Sequence, residues 1–579
     1  MRLFVPMNIR IAVATLFGFI GLQAQADPRQ DLLNDFQTFY DSRSAEASAK
    51  AAETFQTQWD DVHPDTISGR ADAALVLLDR VETLNPSDRG DPDLAIMRHI
   101  LAAEIAAADH DLARIPLVGD WGFYSQPPYQ ASRLRLDSDA SAEAWIALLA
   151  DTPRYFDANI QNMTRGLQSG FVAHEDPLAT ALQQVRAQQV DNILDSPLLA
   201  PILRYAATLT PDQAEILIAE ATAATQTALN AYARLETFLT DIYQPRTAPG
   251  LSAVPGGEAA YLALLSGYSA GADLTGQEIH ALGHSEVERI RQEMQGVLEE
   301  LAFEGSLEEF FLYLREAPQF YAKTPEELLE KAAEMSKRLD GLLPAYFGLL
   351  PRLTYRVAPV PDEIAPGYTT GRYGPGDSDR GIAGTYFVNT YALDQRPLYE
   401  LPALTAHEAV PGHHLQIALA SELENLPEFR RSYYVTAFGE GWGLYAEKLA
   451  GEAGFYRTPY ERFGQLSYEM WRACRLVADT GLHLYGWSRK QAVACFEDNS
   501  ALSPLNIETE VTRYIGYAGQ AVAYKLGELA ILKIREDART ALGEAFDIRS
   551  FHDHLLGAGA MPLDALETRM KIWVQDQLE

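Results

Sequence analysis

Positive charge is scarce in this sequence. The chain carries 47 Lys and Arg against 80 Asp and Glu, a net charge of −33 with an isoelectric point near 4.7. Phosphate backbones are bound through clustered Lys and Arg, and no basic stripe occurs, so nucleic acid is excluded as a partner. The acidity reads first as solubility and second as attraction for cationic peptides. Cysteine is scarcer still, at Cys474 and Cys495 only. Neither lies in a CxxC or among histidines, so both read as buried small residues or one disulfide, not as ligands. Long apolar runs are missing except near the start. Ile11–Leu22 is uncharged but short of the roughly 20 residues that a bilayer span takes. Arg2 and Arg10 precede it, and Ala24-Gln25-Ala26 follows as a small-x-small site. Residues 1–26 therefore read as a cleavable signal peptide, which implies a periplasmic or secreted protein. No Cys follows the run, which argues against a lipid anchor. Losing Arg2 and Arg10 takes the mature charge from −33 to −35. No later segment reads as a membrane span.

What is present is enough apolar residue, 47%, to bury a large core. From Asp27 to about Tyr243 apolar residues recur at three- and four-residue spacing, as in Ala71–Asn85, Asp93–Ala108 and Pro211–Tyr243. Pro245–Gly257 reads as a loop. Thr275-Gly-Gln-Glu278 resembles a capping box opening a helix to about Phe303, and a further helical block covers Thr324–Leu342. Tyr355–Val360 and Thr385–Thr390 alternate and read as strands, with a Gly- and Pro-dense loop, Pro366–Gly384, between them. After Tyr399 the pattern is helical to the end. The fold class expected is mostly α with a small β-sheet. A helical N-terminal region, 27–265, precedes a second region, 266–579, which holds the motifs described next, the two forming one unit over 27–579.

The chemistry concentrates in Leu404-Thr-Ala-His407-Glu408-Ala-Val-Pro-Gly-His413-His414-Leu-Gln416. A His-Glu pair opening a helix, with a further His, is the logic of a zinc peptidase. Neutral imidazoles hold Zn²⁺, and the adjacent carboxylate takes a proton from the attacking water. The spacing is not HExxH. On a straight helix His407 and His413 are about 9 Å apart in rise and roughly 120° off face, and His414 returns to the face about 10.5 Å along. Neither pair chelates one ion without a break. Pro411 supplies one, because its ring clashes with the His407 carbonyl and disfavours helix at Val410. A bulge at Val410–Gly412 is expected to bring a second His back. His174-Glu175, by contrast, has no such company.

A third ligand is expected from Ala437-Phe-Gly-Glu440-Gly-Trp-Gly-Leu-Tyr-Ala-Glu447. A carboxylate followed by Gly and an aromatic resembles the NEGxA-type ligand turn of glutamate zincins, which implies Glu440 as the metal ligand; its apolar neighbours argue against a plain exposed carboxylate. Glu447, two turns on along the same face, would orient a ligand. His280 and His284 also stand at a chelating i, i+4 spacing, but no third ligand is evident near them and Glu286 points elsewhere on the helix. The strand Gly384–Thr390 reads either as an edge that pairs with substrate backbone or as plain core.

Together the segments HEAVPGHHLQ, FGEGWGLYAE, Arg475–Trp487 and Arg513–Leu529 resemble the bacterial family known as domain of unknown function 885, as do Gly256–Tyr261 and the stretch from Ile279. The likeness covers nearly the whole mature chain. It implies kinship with the zinc metallopeptidase clan, and so a zincin-like fold whose helical N-terminal region forms a cleft. Thimet-type oligopeptidases carry HExGH and dipeptidyl peptidase III carries HExxGH. Against these, HExxxGH makes His413 the second ligand in preference to His414. Gly516–Gly527 resembles the late tyrosine helix of such enzymes, in which a phenol stabilises the oxyanion. Tyr524 is the first candidate and Tyr514 the second, with Tyr517 on the same expected helical face. His483, with Asp479 one turn before it, is another possible donor.

The expectation is an exported zinc-dependent peptidase with Zn²⁺ on His407, His413 and Glu440, Glu408 as general base and a peptide as substrate. The alternatives are an amidase acting on a non-peptide or cell-wall substrate, and an inactive peptide-binding protein. Protein recovered from the export compartment should begin at Asp27 by N-terminal sequencing; an intact Met1 there would refute the signal.

Overall fold

The computed structural model describes residues 27–579 except 85–89, 120, 363–364, 366–367, 379 and 425. The signal expected over residues 1–26 lies outside the described residues. The described residues are mostly helical, with one three-stranded sheet among them. No described helix is long and apolar enough to cross a membrane.

Local signals place several elements closely. Thr275 accepts a hydrogen bond from the Glu278 N–H while the Glu278 carboxylate accepts from the Thr275 N–H, and this box opens the helix Gly276–Glu300. The helices Pro64–Leu84, Pro92–Asp109, Pro211–Thr237 and Pro325–Asp340 fall where the periodicity puts them. The sheet holds a surprise. Strands β1 (Tyr355–Pro359) and β3 (Gly384–Val388) are parallel neighbours, but the stretch read as a loop contributes β2, Gly371–Gly374, antiparallel to β3. Two glycines in four residues hide its strand character. The order β1-β3-β2 makes β3 the central strand. The Gly384–Thr390 segment is therefore not an edge and has no free side for a substrate; β1 and β2 are the edges.

The tyrosine segment also differs from expectation. The helix Pro504–Gly516 ends, Gly519 adopts φ +81°, and a new helix, Ala523–Leu542, begins after a 3₁₀ turn. Tyr514, Tyr517 and Tyr524 thus share no helical face. Asp479 accepts from the Gly519 N–H at 3.1 Å and from the Tyr261 hydroxyl at 2.7 Å, which pins the break.

The apolar core does not divide at residue 265. Side chains from Leu32 to Leu101 belong to one cluster with those from Ala270 to Val574, while residues 117–243, with Trp59, build a second. Arg430, 1% exposed, joins the chain's two ends. Its Nε donates to Asp93 at 3.0 Å and its Nη1 to the Ala560 carbonyl at 2.7 Å. The two cysteines are free, and the Cys474 thiol donates to the Cys495 carbonyl at 3.1 Å, so they form no disulfide.

Three helices meet at a buried charge node. Lys525 is fully buried, with Nζ 2.8 Å from Glu469, 2.6 Å from Glu528 and 3.0 Å from Glu286. Arg289 pairs with Glu286 at 2.7 Å and also with Glu469. Burial alone would discharge the lysine, but the carboxylates, Glu469 foremost, outweigh it and raise its pKa. Removing one member strands buried charge. Lys525→Met should cost about 3–5 kcal/mol, read from the denaturant midpoint; a loss below about 1 kcal/mol would show that the node is dispensable.

Candidate metal centre

His407 and Glu408 end the helix Leu401–Glu408, whose every side chain is buried. The helix then stops. Ala409 leaves helical geometry, with φ −92° and ψ −116°, and a new helix, His413–Ser421, starts after Gly412. The His414 N–H reaches back to the Ala409 carbonyl at 3.0 Å, and the Trp442 indole donates to the Pro411 carbonyl at 2.8 Å. The expected bulge in one helix is instead a full break between two. Pro411 accounts for it, having no N–H to give the ladder and no room beside the His407 carbonyl.

The break turns His413 back beside His407. Their rings lie 4.7 Å apart at 88°. Glu440, on the helix Thr436–Glu452, sets Oε2 3.4 Å from Nε2 of each. One donor atom from each of the three lies within 4.8 Å of the others. Glu440, Gly443 and Glu447 share a face of that helix at spacings of three and four. The His407 ring lies across Gly443, where a Cβ would come within 2.6 Å of ring atom Cε1. Its two nitrogens meet the flanking carboxylates, Nε2 toward Glu440 and Nδ1 to Glu447 at 2.8 Å. Arg472 in turn lies 3.3 Å from Glu447.

Burial would lower the His407 pKa, but hydrogen bonds to Glu440 and Glu447 raise it to about 10. Burial likewise opposes ionisation of Glu440, yet the charge of His413 and bonds from both histidines hold its carboxyl well below the usual range. Two imidazoles and one carboxylate form a donor set that suits zinc. The Nδ1 bond to Glu447 is the outer support that fixes a ligating imidazole. The chain's residues therefore fit the metal.

His414 turns the other way. Its Nδ1 meets the Tyr373 hydroxyl at 2.9 Å, and burial lowers its pKa to about 4. Glu408 faces the sheet, where Oε2 accepts the Tyr373 N–H of β2 at 2.7 Å. Tyr434, missed in the sequence, donates to Glu440 Oε1 at 3.1 Å. The Tyr373 amide was equally hidden, being backbone. Gly439, Gly441 and Gly443 did carry a signal: alternate glycines are costly in a helix and mark close approach.

Of the two candidate tyrosines the structure brings one toward the centre. Tyr524 stands one turn before Gly527, and a Cβ on Gly527 would lie 1.9 Å from the Ala437 carbonyl, so this helix and the Glu440 helix touch backbone to backbone. Tyr524 interacts electrostatically with Tyr434. Arg475 lies 4.2 Å from its ring centre, and Arg513 is 3.4 Å from its hydroxyl. Tyr514 is not available. Its hydroxyl accepts from Trp471 at 3.0 Å and Arg475 at 2.8 Å and donates to Glu510 at 2.8 Å, with 1% of the residue exposed. His483 is also occupied, accepting from the Leu251 N–H and donating to the Tyr514 carbonyl; burial lowers its pKa to about 3. His174 caps the helix Glu175–Ala187.

Sequence and structure agree on kinship. The chain belongs to the bacterial family of unknown function DUF885, which it matches over residues 45–570. It is similar to the crystal structure of a candidate lipoprotein from Colwellia psychrerythraea, with TM-score 0.87 and 25% identity over 95% of this chain and 99% of that one. A candidate lipoprotein of unknown function from Shewanella oneidensis shares the fold at TM-score 0.69 and 16% identity, covering 94% of this chain and 98% of that one. No curated protein matches the chain in sequence.

Losing a ligand should weaken zinc far more than losing an outer support, for which about 10–100-fold is typical. Zinc affinity measured for His413→Ala should fall well beyond that range, as for Glu440→Ala, and for His414→Ala stay within it. The reverse order would place His414 at the metal.

Proposed function

We propose that this chain is an exported, zinc-dependent peptidase of zincin-like fold. The observation that carries the reading is the meeting of His407, His413 and Glu440 beside the carboxylate of Glu408. Zinc, when bound, polarises a carbonyl and acidifies water. Glu408 is the base. With Oε2 held by the Tyr373 N–H, its other oxygen is left to take a proton from water and pass it to the departing amine. Tyr524, approached by two guanidinium groups, is the donor for the developing oxyanion. The outward N–H of Tyr373 on β2 is given to Glu408, so this strand positions the base.

Export is supported by the N-terminal signal pattern and by the resemblance to candidate lipoproteins.

The test is Glu408→Gln, with metal content and turnover of a mixed peptide library measured on the same preparation. Zinc should be retained and hydrolysis should fall by about 10²–10⁴, the worth of a general base. Full activity in the zinc-loaded variant would overturn the mechanism. A zinc-loaded native protein that cleaves amides but no peptide would turn the reading to an amidase, and one that only binds peptides would make it a binding protein.

A further inference from the structure

A second pair of histidines stands outside the centre described above. His280 and His284 lie one turn apart on the helix Gly276–Glu300. Their rings are 4.7 Å apart at 81°, nearly the mutual geometry of His407 and His413, which is 4.7 Å and 88°. The Nε2 atoms face each other at 3.2 Å. Two nitrogens held about 2.0–2.1 Å from one ion sit roughly 2.9–3.4 Å apart at cis angles. The pair therefore already has the bite of a chelate.

The tautomer follows from the surroundings. His280 Nδ1 lies 2.7 Å from the Thr480 hydroxyl oxygen. That hydroxyl gives its single proton to the Leu476 carbonyl at 2.5 Å. It must therefore accept from Nδ1–H, which leaves a lone pair on His280 Nε2. An outer hydrogen bond that fixes the ring and frees the distal nitrogen is the support a metal-binding histidine has. Thr480 is fully buried on the neighbouring helix, Pro459–His483, so the support is rigid, while His284 is exposed and open to solvent. Among the described residues no carboxylate completes the set, and Glu286 is committed to Arg289 and Lys525.

We infer that His280 and His284 form a second metal site, a two-imidazole chelate completed by water that takes divalent copper, with nickel and zinc bound more weakly. Two cis nitrogens with oxygen ligands suit a tetragonal ion, and imidazole sites bind copper most tightly among the divalent first-row metals. With His280 Nε2 an acceptor, His284 Nε2 is the donor between them; on metal binding His284 carries its proton on the solvent-side Nδ1 instead, so both Nε2 lone pairs meet the ion and both rings stay neutral. This site is independent of the peptidase reading.

The full chain, first loaded with zinc, is titrated with Cu²⁺ and followed by calorimetry and electron paramagnetic resonance. One equivalent should bind with nitrogen superhyperfine structure from two imidazoles. His284→Ala should weaken it about 100-fold, the low end of what a second tethered contact adds. Thr480→Val, which keeps the shape but removes the acceptor, should weaken it about 10-fold. Unchanged copper affinity in His284→Ala, or the same two-nitrogen signal in a His280→Ala/His284→Ala double variant, would overturn the site.

Discussion

The centre depends on one imidazole held between two carboxylates. His407 lies across Gly443, with Glu440 at one ring nitrogen and Glu447 at the other. Both acids and the glycine come from a single stretch of helix, so the grip is set by helical spacing and needs no flexible loop. Everything else at the site is arranged about that ring. Arg472 balances Glu447 from behind, Tyr434 holds the outer oxygen of Glu440, and the helix of Tyr524 packs against the same helix through Gly527.

A ring fixed in this way does not by itself bring in a second histidine. The helix that carries His407 has to end, and it ends at Ala409 because the chain reaches Pro411. Two short helices with a turn between them carry the His407 and His413 rings to one point and send His414 to Tyr373. Adjacent histidines thus have opposite fates within one turn of helix. Glu408 lies at the last position before the break, where it can be reached by the backbone of β2.

These relations were legible in unequal measure. His407, His413 and Glu440 stand out because chemically uncommon residues cluster around a helix breaker, and the break itself follows from proline's missing N–H. The capping box at Thr275 is equally local and equally readable. β2 was hidden because Gly371 and Gly374 give no strand signal, and its partner lies outside any short window. Tyr514 was read as a donor because the segment from Arg513 to Leu529 looks like one continuous helix. The turn at Gly519, held by Asp479 from 40 residues earlier, separates it from Tyr524. The division of the core was invisible for a related reason: periodicity shows which face is apolar and not what that face meets.

That core has a consequence for how the chain matures. The helix Pro92–Asp109 rests against the helix Leu563–Leu578, and Arg430 fastens Asp93 to the carbonyls at Ala558 and Ala560. The helix Pro92–Asp109 therefore completes its packing only when the helix Leu563–Leu578 is in place. Contacts of such long sequence separation form slowly. The core that holds Ala406 and Ala409, on either side of His407, therefore closes only when these distant segments meet.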